Sequence, residues 1–596
     1  MPESRPWRTA ALVGMVAVAA QAVAIRDVLL WDDIPLLARS DLYTNAARWT
    51  ESVTSPLGRA TYYWRPAATT SFLLESLVHG GAAWGFRLTS ALLHAATSAV
   101  AFVLLRRLLG NRTAALLAAL AFAVHPVNVE AATWISARFD LMAGLFSLAA
   151  LAAIPAGAAP RWRWILAAAF AFLACCSKEN AYLLPLLAVA WTAATDAAPG
   201  RPRLAPLAWT TAGVLAALFL RFEALGDLPR TRTSAVAAAG SALQHLLLVG
   251  RAVATSVGTI VFPWGTVGPT HHGLRPIPPD DALGWTGVVV GVVLTVVTAV
   301  ALKRRRPVGY VLAAFLASLA PASQVVPLDL SGGLHTADRY AYLPSFFAVA
   351  AVALWATEAL AARPAWARRA AVAAGALVAA LAAGRLAILP RWNDPVTFWS
   401  WAVRMAPGSD AAHINLAFVH LAAGRPQEAE AEARLGGGEA TSLLVEALVR
   451  QGRTYEAQRV LNDVIPVRPA DNELRMQRAE IELSLTQYDA ALADFQGVVH
   501  AQELTSPQWS GPLLPRAFAG IATVHAAKPG GVGTARGFAA RAEALADAKD
   551  AGVWLSIARA WIAIRDMDRA AAAIDRAVAN GGRADDVSAL RAELRK

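Results

Sequence analysis

Cysteine is nearly absent: the 596 residues hold two, Cys175 and Cys176, and they are neighbours. That excludes a disulfide framework and any multi-cysteine zinc site, and the pair reads as two small apolar residues. Charge is scarce as well. Charged side chains make up 16% of the chain, against roughly 25% in an ordinary soluble protein. Acids are thinnest in the first two thirds, since 25 of the 43 follow Pro390. What fills the space is apolar: 56% of residues are hydrophobic and the mean hydropathy is +0.42, which excludes a chain that is soluble throughout. So many aliphatic residues also exclude a disordered chain. The net charge of +11 is of the kind that membrane proteins keep in cytoplasmic loops, so it does not imply nucleic-acid binding.

Apolar runs recur from Thr9 to Leu389. They predict eleven spans, near 9–25, 86–105, 113–124, 139–155, 162–176, 180–195, 205–222, 283–302, 307–321, 341–358 and 368–389. The first run has no clear A-x-A cleavage site behind it and reads as a span. Arg5 and Arg8 place the N-terminus in the cytoplasm. Alternation then puts Arg106, Arg107 and Arg112, Arg161 and Arg163, Arg201 and Arg203, Lys303 to Arg306, and Arg363, Arg368 and Arg369 in inner loops. The register holds only if Ser241–Phe262, with His245 and Arg251, lies on the outer side as an interfacial or re-entrant helix. About 15 of the 18 acids before residue 391 then fall on outer segments, as a polar site on that face would require.

After Pro390 the spans stop, and short helical patterns with alanine at packing positions begin. Gly424-Arg-Pro-Gln-Glu-Ala429, Gly452-Arg-Thr-Tyr-Glu-Ala457 and Gln487-Tyr-Asp-Ala490 are copies of one unit, and Asp566-Met-Asp-Arg-Ala570 is a degenerate one. Tyr455 and Tyr488 are 33 apart, close to the tetratricopeptide period of about 34 residues. The expected fold is therefore all-α: a polytopic membrane bundle over 1–390, then a tetratricopeptide-like solenoid over 391–596 on the outer side.

The polar residues of the membrane region gather at outer span ends. Asp32 and Asp33, with Asp41 following, come after the first span, and two adjacent carboxylates repel, which raises the pKa of one. Either is a candidate general base, or together they are a solvated helix cap. Arg65 lies in Tyr63-Trp64-Arg65-Pro66; His125 and Glu130, then Arg138 and Asp140, frame the next outer loop; Lys178-Glu179 and Asp338-Arg339-Tyr340 enter two later spans. Arg138 and Asp140 also have a simpler reading as an ion pair, and His94 as a hydrogen-bonded core histidine. His271-His272 lacks a third nearby metal ligand. Jointly, a carboxylate pair and several cations at membrane level suit a lipid phosphate whose departure needs neutralising and an acceptor hydroxyl that needs a base.

These residues bring a resemblance. Tyr63-Trp64-Arg65-Pro66, the His125-Pro126 to Glu130 stretch, Arg138-Phe139-Asp140, Lys178-Glu179 and Asp338-Arg339-Tyr340 through Tyr342-Leu343-Pro344-Ser345 occur in an order that resembles the transmembrane and tetratricopeptide-repeat protein O-mannosyltransferases. More broadly the chain resembles the multi-span GT-C glycosyltransferases that use polyprenyl- or dolichyl-phosphate sugars. Phe139 stands where that family has a small residue, and the Ala- and Arg-rich composition resembles bacterial proteins. The resemblance implies a GT-C fold with Asp32 or Asp33 as the catalytic base and a protein or peptide acceptor held by the repeats. It also implies Arg65, His125, Glu130, Arg138, Asp140, Lys178, Glu179 and Arg339 around the donor, with Arg138, Lys178 and Arg339 on its phosphate.

The expectation is thus an inverting transferase in the inner membrane of a bacterium, with its repeats in the periplasm. It would move a sugar, mannose in the family, from a polyprenyl-phosphate carrier to a hydroxyl without an obligatory metal or other cofactor. An O-antigen type ligase or polymerase using a diphosphate-linked glycan is the second enzyme reading. A membrane-anchored repeat scaffold is the non-enzymatic one, and it leaves the polar clusters unexplained. A transporter would place its charges nearer the bilayer midplane.

Overall fold

A computed structural model describes residues 6–38, 42–57, 63–155, 160–196, 204–226, 241–269, 277–325, 336–505, 511–547 and 550–595. Asp41, Arg201, Arg203, His271 and His272 lie outside the described residues. All regular structure among those described is helical. The chain divides into two compact units, 1–409 and 410–596.

The first unit is built from α1 (Pro6–Gln21), α2 (Pro66–His79), α3 (Ala83–Leu109), α4 (Arg112–Val124), α5 (Arg138–Ala153), α6 (Arg161–Cys175), α7 (Leu184–Thr195) and α8 (Leu204–Leu225). It continues with α9 (Ala242–Val261), α10 (Ala282–Lys303), α11 (Pro307–Leu319), α12 (Tyr342–Ala361), α13 (Ala367–Ile388) and α14 (Pro395–Met405). Eight helices among the described residues are long and apolar enough to cross a bilayer, or nine if α4 and the Pro126–Thr133 segment, bent by 49°, form one span. The unit is a multi-pass membrane bundle. The expectation of eleven spans is corrected by length: α6, α7 and α11 have 15, 12 and 13 residues, short of the roughly 20 that a hydrocarbon core needs. In the other direction, α9, expected at the interface, satisfies the same length and hydropathy test as the spans.

Local chemistry sets several of these ends. α3 stops at Gly110, whose left-handed φ of 64° lets its N–H reach the Arg106 carbonyl, and Asn111 then caps α4 by accepting from the Ala114 N–H. Asp281 caps α10 through the Gly284 N–H and pairs with Arg251 of α9. The two helices touch backbone to backbone: a Cβ on Gly287 would stand 1.7 Å from the Gly250 carbonyl oxygen. Small residues at such a crossing supply the close packing that lipid-embedded helices depend on.

α14 belongs to the first unit rather than to the repeats, so the division falls later than the apolar pattern places it. Asp394 caps it through Thr397, and its Phe398, Trp399 and Trp401 are buried, the first two against Trp392 and Trp31.

In the second unit, helix pairs stack as a solenoid from Asp410–Ala422 to Ala584–Leu594. One turn recurs. Gly424, Gly452, Thr486 and Arg565 each take a positive φ of 59–76°. The next residue's N–H closes back on the preceding helix, at His420, Leu448, Glu482 and Trp561 respectively. The packing alanines that follow, Ala429, Ala457, Ala491 and Ala570, are fully buried. In the third copy this corrects the sequence reading by one position, since Ala490 is exposed and Ala491 packs.

Gly287→Ala is expected to push α9 and α10 apart and lower the Tm of the purified protein. Gly375→Ala, where a Cβ meets nothing within 4 Å, should leave it unchanged or raise it slightly.

Candidate functional site

Most of the sequence-predicted residues meet in one network centred on Arg339, which lies in the short helix Asp338–Ala341 leading into α12. Its backbone N–H donates to Glu130 Oε2 at 3.1 Å and its Nη1 pairs with Glu130 Oε1. Its Nε is 3.9 Å from Asp140, and its Nη2 donates to the Tyr340 hydroxyl at 3.2 Å. The guanidinium lies over the rings of Trp134 and Tyr340, at 4.9 and 4.7 Å. Lys178 extends the chain of charges: its Nζ is 2.6 Å from both oxygens of Asp140 and 4.5 Å from the Tyr340 ring. Arg65 sits between the rings of Tyr63 and Phe139, at 4.4 and 4.6 Å, and pairs with Glu179 at 2.9 Å. Phe139 is therefore the ring that places Arg65.

The two adjacent aspartates are treated differently. Asp33 is fully buried. Its Oδ1 accepts from the Ser136 N–H at 2.9 Å and the Ser136 hydroxyl at 2.6 Å, and its Oδ2 accepts from the Leu30 N–H at 3.1 Å. It ties the first loop to the segment before α5. Asp32 is half-buried, and its carboxylate has no hydrogen-bond donor among the described residues; the charge it feels is that of Arg339. Burial raises its pKa above the ordinary carboxylate value, and Arg339 offsets part of this. Burial pushes Asp33 up to about 6, against hydrogen bonds from Ser136 and Leu30 that favour the charged form.

Directly before the two aspartates stands Trp31, a bulky residue at φ 51°. Such a conformation is sterically disfavoured and persists where its surroundings enforce it. Here Trp31 stacks on Trp134 at 4.9 Å and 9° and meets the edge of Trp399 at 5.4 Å.

Two expected residues lie elsewhere. His125 accepts the Val127 N–H on Nδ1 and faces the Ile260 carbonyl with Nε2, 3.0 Å away, so both ring nitrogens are engaged in holding the end of α4. Arg138 is fully buried and turns from the network to Glu75, the Phe86 carbonyl and Ser90. Its simpler reading as a partner of Asp140 is corrected, because residues two apart on a helix do not face each other. His94 is the hydrogen-bonded core histidine expected, with Tyr342 and the Ala123 carbonyl each 2.9 Å from a ring nitrogen. Among the described residues no three His, Cys, Asp or Glu side chains gather as a metal site.

Residues not singled out from the sequence complete the surroundings. A small cavity of about 10 Å³, room for no more than one water molecule, is lined by Leu30, Trp31, Glu130, Trp134, Pro269, Trp392 and Phe398. Its sequence signal was the cluster of aromatics Trp392, Phe398, Trp399 and Trp401 directly after the last apolar run.

Arg138→Ala would strand Glu75 and is expected to cost about 3–5 kcal/mol of stability, seen as a lower Tm; an unchanged Tm with lost activity would instead place Arg138 on a substrate. Asp33 holds its proton more tightly when folded than at the unfolded value of 3.8. Its contribution therefore favours the folded state at low pH and is lost as pH rises through about 6. Asp33→Asn, which does not titrate, should lower Tm more at about pH 4.5 than at about pH 7.5.

Residues 71–222 match the family described as dolichyl-phosphate-mannose-protein mannosyltransferase. Over 113 residues the chain is 37% identical to protein O-mannosyl-transferase tmtc2 of Xenopus laevis, covering 18% of this chain and 14% of that protein. Over 81 residues it is 42% identical to protein O-mannosyl-transferase Tmtc2 of Drosophila melanogaster, covering 13% and 9%. A tetratricopeptide repeat protein from Parabacteroides merdae of solved structure aligns over 35% of this chain and 95% of its own, at 16% identity and a TM-score of 0.23. The sequence matches span 14% or less of these relatives' own length. The family match contains Glu130, Arg138, Asp140, Lys178 and Glu179, and leaves Asp32, Arg65 and Arg339 outside it. In part of its membrane unit, the chain is similar to protein O-mannosyltransferases.

Proposed function

We propose that the chain is an inverting membrane glycosyltransferase that moves a sugar, mannose by similarity, from a polyprenyl-phosphate carrier to a hydroxyl of a protein acceptor. The observation that carries this reading is the Asp32 carboxylate: half-buried, without a hydrogen-bond donor among the described residues, and facing the charge of Arg339. A carboxylate with its acceptor positions available and a raised pKa suits proton abstraction. Asp33, with its oxygens already occupied, is a positioning residue.

In this mechanism the acceptor oxygen attacks the anomeric carbon and its proton passes to Asp32. The bond from that carbon to the phosphate oxygen breaks, and its electron pair leaves with the polyprenyl phosphate. Arg339 and Lys178 stabilise the charge on the departing phosphate. Both are paired with carboxylates, Glu130 and Asp140. A phosphate therefore shares donors with these partners rather than meeting unengaged cations, and the pairs hold both cations in place before it arrives. Direct displacement inverts the configuration. With Arg5 and Arg8 on the cytoplasmic side, the loop after the first span, which carries Asp32, lies on the outer face, and in a bacterium that is the periplasmic side of the inner membrane. The repeats hold the acceptor, as stacked helix pairs commonly do for extended peptides.

Transfer of radiolabelled mannose from polyprenyl phosphate, measured with the full chain, should fall about 10²–10⁴-fold in Asp32→Asn, with an unchanged Tm. Full activity in that variant would remove Asp32 as the base. Transfer confined to diphosphate-linked oligosaccharides would move the assignment to a ligase.

A further inference from the structure

Lys178 and Arg339 are held together at two points. Asp140 is one: both of its oxygens are 2.6 Å from Lys178 Nζ, and Oδ2 is 3.9 Å from Arg339 Nε. Tyr340 is the other, since its ring centre lies 4.5 Å from Lys178 Nζ and 4.7 Å from the Arg339 guanidinium carbon. Its hydroxyl also accepts from Arg339 Nη2 at 3.2 Å. Two cations brought this close repel each other unless negative charge density lies beside both. The face of an aromatic ring supplies that density without being an ion.

The difference between the two anchors matters for an anion. A second carboxylate in the place of Tyr340 would gather the cations equally well, but it would neutralise them and repel an incoming phosphate. The ring gathers them and adds no charge. Lys178 also keeps donor capacity: its ammonium has three N–H groups, and Asp140 is its one hydrogen-bond acceptor among the described residues. A buried ring that only filled space would serve whatever its electrons did, whereas a ring that gathers cations depends on them.

We propose that Tyr340 is a positioning residue for the phosphate: its ring holds Lys178 and Arg339 at one spacing, so that a single phosphate group meets both cations as its bond to the sugar breaks. This role deepens the glycosyltransferase reading, on which it rests for the identity of the phosphate as the leaving group.

The test separates the shape of the ring from its electrons. The full chain in nanodiscs carries Tyr340→Phe or, at the same position, phenylalanine with one, two or three ring fluorines, which withdraw density from the face and nearly keep the shape. Binding of farnesyl phosphate is measured by titration calorimetry beside farnesol, its uncharged counterpart, with empty nanodiscs subtracted. The readout is the ratio of the two affinities, because a change in packing alone moves both ligands and the Tm together. The wild type is expected to prefer the phosphate, Tyr340→Phe to keep that preference within about twofold, and fluorination to lower it stepwise by about 3- to 10-fold in all at unchanged Tm. No preference in the wild type, a preference already lost in Tyr340→Phe, a flat fluorinated series, or a fall that Tm follows would each overturn the proposal. Mannose transfer from polyprenyl phosphate is measured on the same samples. A preference that follows the series without transfer from any carrier would leave Tyr340 its role and remove the glycosyltransferase reading, and transfer with a flat series would do the reverse.

Discussion

A guanidinium removed from water needs its hydration replaced on every side, and around Arg339 that requirement organises the end of the bundle. Glu130 supplies the counter-charge to the side chain and also accepts the backbone N–H. Asp140 approaches the third nitrogen, and Trp134 and Tyr340 present ring faces. These partners come from three separated stretches of chain, and Asp140 brings a fourth through Lys178. A buried pair of this kind adds little net stability over an apolar replacement, but breaking it by removing one partner is expensive. Its effect is therefore geometric: the loops around residues 130, 140, 178 and 339 have one arrangement in which every charge is met.

The same logic explains why two neighbouring aspartates do different things. Asp33 turns inward to Ser136 and Asp32 faces Arg339, directly after the left-handed backbone at Trp31. The strain is borne by a stacked pair of indoles, so the loop that carries the carboxylates and the aromatic cleft are one construction.

Charge placement was legible because ionisable residues in an apolar chain are rare, and each needs a reason to be there. Lys178, Glu179, Asp140, Glu130 and Arg339 could be grouped from sequence for that reason. Their partners could not. Arg138 and Asp140 share a helix turn yet point to different clusters, and the residue that takes Arg138, Glu75, lies on a helix that hydropathy did not mark as a span. The aromatic cleft showed only as a cluster of rings after the last apolar run, because a tryptophan reads as apolar filling until tertiary contacts show which N–H lacks a partner. In the repeats, the alanine pattern showed the helix pairs, while the turn residue could be glycine, threonine or arginine, since the shared feature is a backbone angle rather than a side chain.

The placement of α14 has a practical side. A shortened protein ended where the apolar runs stop, at Pro390, would look complete by hydropathy. It would nonetheless lack Trp392, Asn393, Phe398 and Trp399, and with them the group that Arg87 binds at Trp392 and the ring edge that confines Trp31. Any dissection of the two units for separate study should therefore cut after Ser409, where the chain's own contacts divide it.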